Sequence, residues 1–189
     1  MKLILGFDTE TTGLTSEDRP VQIGAVLVNP VTWEVVDSWM SLVDPEQDIH
    51  PDAEAIHGIS RAQTIGQPTL QDIWERSTFA NWVKEADVVF GHNIPFDAAQ
   101  LGEANLAHLA RLDTLTLVRR VYPKWRNHKL QSCVSQLSLP QRAAHDALDD
   151  IVSCVDVLKH INLQLGWSLE DMLFQTSNIK GYFKKLVGA

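Results

Sequence analysis

Three apolar segments in close succession, Lys2 to Thr9, Val21 to Val28 and Val35 to Val43, open this sequence with only short turns between them. Strand-like runs joined in this way predict an antiparallel meander. The chain then changes character. The capping-box spacing Thr69-Leu-Gln-Asp72 predicts a helix running through Ile73, Trp74, Phe79 and Trp82 to about Glu85. Asp87 to Gly91 reads as a short strand, Pro95 to Asn105 as a helix with proline near its first turn, Ala110 to Asp113 as a strand and Thr114 to Val121 as a helix. A long helix is expected from about Ala144 to Gln164, and Ser168-Leu-Glu-Asp171 caps a last one. A meander followed by alternating helix and strand predicts an α/β fold: a mixed central sheet, antiparallel and then parallel, flanked by helices.

A chain of 189 residues with 44% hydrophobic residues can bury one core without disulfides. No repeat or low-complexity linker divides it, so residues 1–175 are expected to form one domain. Residues 176–189, with Lys180, Lys184, Lys185, Tyr182 and Phe183, read as a basic-aromatic tail, either an accessory nucleic-acid contact or a packing helix. The first apolar run breaks at Asp8 and no later run approaches the length of a membrane span, which predicts a cytoplasmic protein without a membrane partner. Cys133 and Cys154 lack CxxC spacing and lie among apolar residues, as reduced core thiols do.

The net charge of −8 would disfavour a nucleic-acid partner if it were evenly spread. Instead residues 1–110 hold 17 acids and 5 bases, whereas residues 111–189 hold 7 acids and 11 bases. The segment from Arg119 and Arg120 through Lys124, Trp125 and Arg126 to Lys129 carries five bases and no acid, with Tyr122 and Trp125 interleaved. It is a candidate for gripping a nucleic-acid backbone, the alternative being a solvated loop.

Three acidic clusters sit where a core does not want them. Asp8 and Glu10 end an apolar strand, and their spacing of two puts both on one sheet face. Either they simply reach water, or one is protonated, or a cation lies between them. The Thr11-Thr12-Gly13 that follows suggests a turn exposing backbone to a ligand. His92-Asn93-Ile94-Pro95-Phe96-Asp97 lies at a strand-to-helix junction, where ligands bind in open α/β sheets, although Asn93 or Asp97 could also serve only as a cap. In the last cluster, helix geometry places Asp146, Asp149, Ser153, Asp156, His160 and Gln164 on one solvated arc. Asp150 points elsewhere, with Cys154, Val157 and Ile161, towards the sheet, and no Lys or Arg on its own helix can pair with it. The three clusters share one demand, a divalent cation with oxygen ligands; carboxylates without cysteines favour Mg²⁺ or Mn²⁺. His145, just ahead of Asp150, is placed as a base.

Asp8-Thr-Glu10-Thr-Thr-Gly13, His92-Asn93-x-x-Phe96-Asp97 and His145-x4-Asp150 resemble, in order and spacing, the three motifs of the DEDDh exonuclease superfamily, also called DnaQ-like or RNase T-like. Pro51-x-Ala53-x-x-Ile56-His57-Gly58-Ile59 and Leu112-Asp113-Thr114 match further segments of such enzymes, and the resemblance spans about residues 3–165. Within the superfamily the likeness is nearest to the bacterial exonuclease X group, through Ala55-Ile56-His57, Arg119-Arg120-Val121-Tyr122-Pro123 and Gly166-Trp167-Ser168-Leu169-Glu170-Asp171-Met172.

The resemblance implies hydrolysis of phosphodiesters from a 3′ end, releasing nucleoside 5′-monophosphates with two Mg²⁺ or Mn²⁺ ions. Asp8 would bridge both ions, Glu10 and Asp150 would complete the first site, Asp97 would hold the second, and His145 would be the general base. His92 would support Asp97, the alternative being a direct catalytic role. Thr9, Thr11, Gly13, Leu14, Ile56, His57, Asn93 and Phe96 would lie beside the terminal nucleotide; Ile56 and Ile59 could equally be ordinary core. The expected partner is a DNA 3′ end, single-stranded or frayed, in repair or proofreading. RNA is the alternative polymer, as in an exoribonuclease or oligoribonuclease, and a polymerase-docked proofreading subunit is the alternative assembly.

Overall fold

The computed structural model describes residues 2–15 and 17–176; the tail expected beyond them, from Ser177 on, lies outside the described residues. Strands β1 (Ile4–Thr11), β2 (Pro20–Val28), β3 (Val35–Leu42), β4 (Val88–Gly91) and β5 (Ala110–Asp113) form one sheet in the order β3-β2-β1-β4-β5. The meander β1-β2-β3 is antiparallel, and β4 and β5 add to β1 in parallel, as the element order predicts. The helices are α1 (Pro51–His57), α2 (Arg61–Thr64), α3 (Leu70–Arg76), α4 (Thr78–Glu85), α5 (Ile94–Leu101), α6 (Glu103–Leu106), α7 (Thr114–Val121), α8 (Leu130–Gln136), α9 (Ala147–Leu165) and α10 (Leu169–Thr176).

Side chains alternate across β1, and each face meets its own layer of helices. Leu5 and Phe7 pack with Ile23, Phe79, Trp82, Ile94 and Leu101 beneath α3 to α6. Ile4 packs with Val26, Phe90, Leu112, Val118, Ile151 and Leu158 beneath α7 to α10. Gly6 shares that second face because a Cβ there would lie 2.3 Å from the Phe90 ring. Both cysteines are buried thiols outside any disulfide. No helix among the described residues is long and apolar enough to cross a membrane.

Several local expectations are corrected. The single helix from Thr69 to Glu85 is two: Ser77 ends α3 and its hydroxyl caps α4 by accepting from the Ala80 N–H. A helix to Asn105 instead stops at Leu101, because Gly102 takes φ 88° before the short α6. The long helix starts at Ala147, not Ala144, since the Asp146 carboxylate caps the N–H groups of Leu148 and Asp149. Its solvated arc is not plain either: Ser153 is buried, and Asp156 pairs with Arg142 at 2.6 Å. The small helices α1 and α8 are visible only in the structure.

Candidate active site

β1 delivers two acids to the face covered by α9. Asp8 and Glu10 both lie within the strand, Glu10 is buried, and Gln22 of β2 stands directly opposite Glu10 in the antiparallel register. Thr9 points to the opposite face and finds Asp97, in the first turn of α5. The Thr9 N–H and hydroxyl donate to one Asp97 oxygen at 3.0 and 2.7 Å. The Thr9 side chain, expected beside the nucleotide, is thus spent on orienting Asp97. Asn93 takes the left-handed conformation (φ 69°) at the N-terminus of α5, where its side chain makes no capping bond and its N–H donates to Asp113.

Asp150 is buried on the sheet side of α9, as its helical phase requires, and its partners come from elsewhere. The Gln131 side-chain amide donates to it at 2.7 Å and the His145 backbone N–H at 3.1 Å. His145 is exposed with φ 61°, a conformation that non-glycine residues adopt sparingly and that clusters at functional sites. Donor atoms of Glu10, His145 and Asp150 lie within 4.8 Å of one another.

Electrostatics shows what the pocket lacks. Burial, then the neighbouring Asp97, Asp150 and Glu10, push Asp8 well above the usual carboxylate range. Burial followed by Asp150 and Asp97 raises Glu10 to about 8. Burial raises Asp97 to about 7 against the pull of the two Thr9 bonds, and Asp150 is raised by burial against its own hydrogen bonds. None of the four is ion-paired with Lys or Arg among the described residues. A pocket of anionic oxygen donors with no ion-paired cation among the described residues fits hard divalent metal ions, which would let all four ionise together.

Next to Glu10, a cleft of about 420 Å³ is lined by Thr11, Gly13, Leu14, Ala53, Ile56 and His57 among others. Leu14 is 85% and Ile56 55% exposed, whereas Ile59 is core, which separates the two isoleucines. Thr11 donates its hydroxyl to the Gly13 carbonyl, shaping the turn. The Ile59 N–H donates to His57 Nδ1, so Nε2 carries the ring proton and donates to the Thr11 carbonyl, tying α1 to the end of β1. Burial lowers the His57 pKa, in keeping with this neutral ring.

The basic segment divides. Lys124, Arg126 and Lys129 are exposed, but Trp125 stacks on Tyr122 with ring centroids 4.2 Å apart, and the Arg120 guanidinium holds the backbone and side-chain oxygens of Gln175 in α10. Phe96 is half-buried. His92 does not touch Asp97 in the hydrogen-bond network: its Nε2 meets the His128 carbonyl and its Nδ1 the Thr114 hydroxyl.

Residues that sequence reasoning missed hold the α9 end in place. The Gln22 side chain accepts from the Ala147 N–H at 2.9 Å and donates to Asp146 at 3.2 Å. Gly24 admits the same turn, since a Cβ there would lie 2.3 Å from the Leu148 nitrogen. A polar residue and a glycine inside the apolar strand Pro20–Val28 were the available signal.

The family model described as Exonuclease, RNase T, matches residues 5–158, and the chain belongs to that family. It is a 3′–5′ exonuclease domain of the DEDDh, DnaQ-like type. DNA polymerase III subunit epsilon of Treponema pallidum is 32% identical over 161 residues, covering 80% of this chain and 72% of that protein. The PolC-type DNA polymerase III of Clostridium perfringens is 31% identical over 160 residues, covering 81% of this chain; the chain spans only 11% of that protein's length. A structure described as exonuclease X in complex with 5′ overhanging duplex DNA shares the fold, with TM-score 0.74 and 24% identity over 92% of this chain and 99% of the other. E. coli exonuclease I in complex with a dA16 oligonucleotide superposes with TM-score 0.75 at 17% identity, over 92% of this chain and 42% of that one.

Proposed function

We propose that this chain removes nucleotides one at a time from DNA 3′ ends, releasing nucleoside 5′-monophosphates, in repair or proofreading. The observation that carries the reading is the mutual proximity of Asp8, Glu10, Asp97 and Asp150, each with a raised pKa and none in an ion pair with lysine or arginine among the described residues. These four would hold two Mg²⁺ or Mn²⁺ ions, which supply Lewis-acid stabilisation and a more acidic water when bound. His145, close to Glu10 and Asp150, takes the proton of the attacking water on its ring; its exposed position lets that proton pass on to solvent. Leu14 and Ile56 present apolar surface to the terminal base in the cleft beside Glu10, with His57 and the Thr11–Gly13 turn fixing its wall. Thr9 acts through Asp97. Asn93 and Phe96 border the α5 end of the site.

DNA as the polymer is supported by the named relatives, a DNA polymerase III subunit epsilon and a PolC-type DNA polymerase III, and by the DNA in the structures that share the fold. The same relatives favour one further reading, that the domain works docked to, or within, a polymerase. Co-elution with the polymerase of the same organism would support that assembly. The catalytic test uses single-stranded DNA, duplex DNA and RNA labelled at either end. The expected result is metal-dependent release of labelled mononucleotide from the 3′ end, with progressive shortening of 5′-labelled DNA. Mononucleotide release from the 5′ end overturns the polarity, and faster digestion of RNA overturns the choice of DNA.

A further inference from the structure

The loop between α7 and α8 exposes Lys124, Arg126 and Lys129, and none of them is in an ion pair among the described residues. Surface loops of this kind are ordinarily mobile. This one is pinned. His92, directly after β4, places Nε2 2.8 Å from the His128 carbonyl, while Nδ1 meets the Thr114 hydroxyl at 2.9 Å. The His128 ring bonds back to the Tyr122 carbonyl at 2.9 Å, and Tyr122 and Trp125 stack inside the loop. Immediately beyond it, Gln131 donates to Asp150. The cationic stretch is therefore bonded to the second acidic motif through the His128 carbonyl, and α8, which follows it directly, is bonded to a candidate metal-binding carboxylate. Because His92 meets a carbonyl and a hydroxyl and, among the described residues, no carboxylate, what it supplies is position.

We propose that His92 is a positioning residue that, with Gln131, sets the Lys124–Lys129 loop in register with the catalytic carboxylates, so that its cations hold the phosphates of the strand being digested. The proposal rests on the nuclease reading above. Cations on a fixed loop discriminate a polynucleotide from an isolated phosphodiester, because only the polymer reaches both the pocket and the loop.

The test compares two substrates. Thymidine 5′-(p-nitrophenyl phosphate) offers the reacting group without further backbone; an oligodeoxynucleotide of about a dozen residues spans pocket and loop. His92→Phe should weaken oligonucleotide binding in Ca²⁺ about tenfold and flatten the slope of log affinity against log salt by about 1 to 2, while ester hydrolysis stays within about twofold. His92→Gln, whose amide can donate to the His128 carbonyl, should recover most of the binding. If His92→Phe does not fold, His92→Asn takes its place and the same loss is required. Equal losses on the ester and the oligonucleotide overturn the proposal in favour of a role at the carboxylates; unchanged binding and salt slope overturn it outright. The Lys124→Ala, Arg126→Ala double variant separates the two layers. If it binds the oligonucleotide like the parent, the loop does not grip phosphates and the proposal falls while the exonuclease reading stands. If the parent hydrolyses neither substrate with Mg²⁺ or Mn²⁺, the functional reading falls first.

Discussion

At the scale of single residues, the site separates groups that would hold charge from groups that would move a proton. His145 is exposed in a left-handed backbone, and its N–H secures Asp150 whatever the side chain is. His145→Ala should therefore preserve metal binding and DNA binding while kcat falls by about 10² to 10⁴, the usual worth of a general base. Titration calorimetry for the metal beside single-turnover kinetics checks this; parallel loss of both would make His145 a ligand. Glu10 is the converse case. Burial and the neighbouring carboxylates hold it at about 8, so its ionised form is unfavourable without a cation. Glu10→Gln should raise the melting temperature of metal-free protein at pH 8 by about 2–8 °C, which corresponds to about 1–2 kcal/mol, and should abolish the further rise on adding Mn²⁺.

Among the elements, the joint between β2 and the N-terminus of α9 matters more than its size suggests. Gln22 and Gly24 belong to the strand opposite Asp8 and Glu10, and both act on the turn that carries His145 and Asp150. Gln22→Leu would leave the Ala147 N–H buried without an acceptor, a loss of about 1–3 kcal/mol in stability. Gly24→Ala would press a methyl group against the Ala147–Leu148 backbone, with a cost of about 1–3 kcal/mol. In both variants kcat should fall further than that of a surface control of equal melting temperature, because the displaced turn carries the proposed base. Denaturant unfolding alongside activity below the transition measures the two effects separately; activity that merely tracks the folded fraction would show that the joint is structural only.

Across the whole molecule, the acidic pocket links stability to pH and metal. Glu10 and Asp97 titrate near 8 and 7 in the folded chain, against 4.5 and 3.8 for the unperturbed groups. The folded state thus binds protons that the unfolded state has released. The stability these protons supply is complete below about pH 4 and is lost as the pH rises through 7 and 8. Metal-free protein should melt at progressively lower temperature from pH 5 to pH 8, and saturating Mg²⁺ or Mn²⁺ should flatten that slope by replacing protons with cations. Calorimetry in buffers of different ionisation enthalpy should record proton release on metal binding near pH 7. A pH-independent melting temperature without metal would mean that the carboxylates already have another counter-charge.

The meander, the change from antiparallel to parallel strands and the three acidic motifs were legible in the amino-acid order, because strand alternation, helical phase and motif spacing are local properties. Local phase alone was enough to send Asp150 towards the sheet. Local order could not show that Thr9 serves Asp97, that Arg120 is held by Gln175, that His92 reaches His128, or that Gln22 and Gly24 seat α9. Each of these depends on backbone brought together from distant parts of the chain. Hydrogen bonds and steric contacts of that kind act over a few ångströms and leave no period in the sequence. The residue types at the acidic pocket were thus set by the chain itself, whereas the partners and orientation of each side chain were decided by tertiary packing.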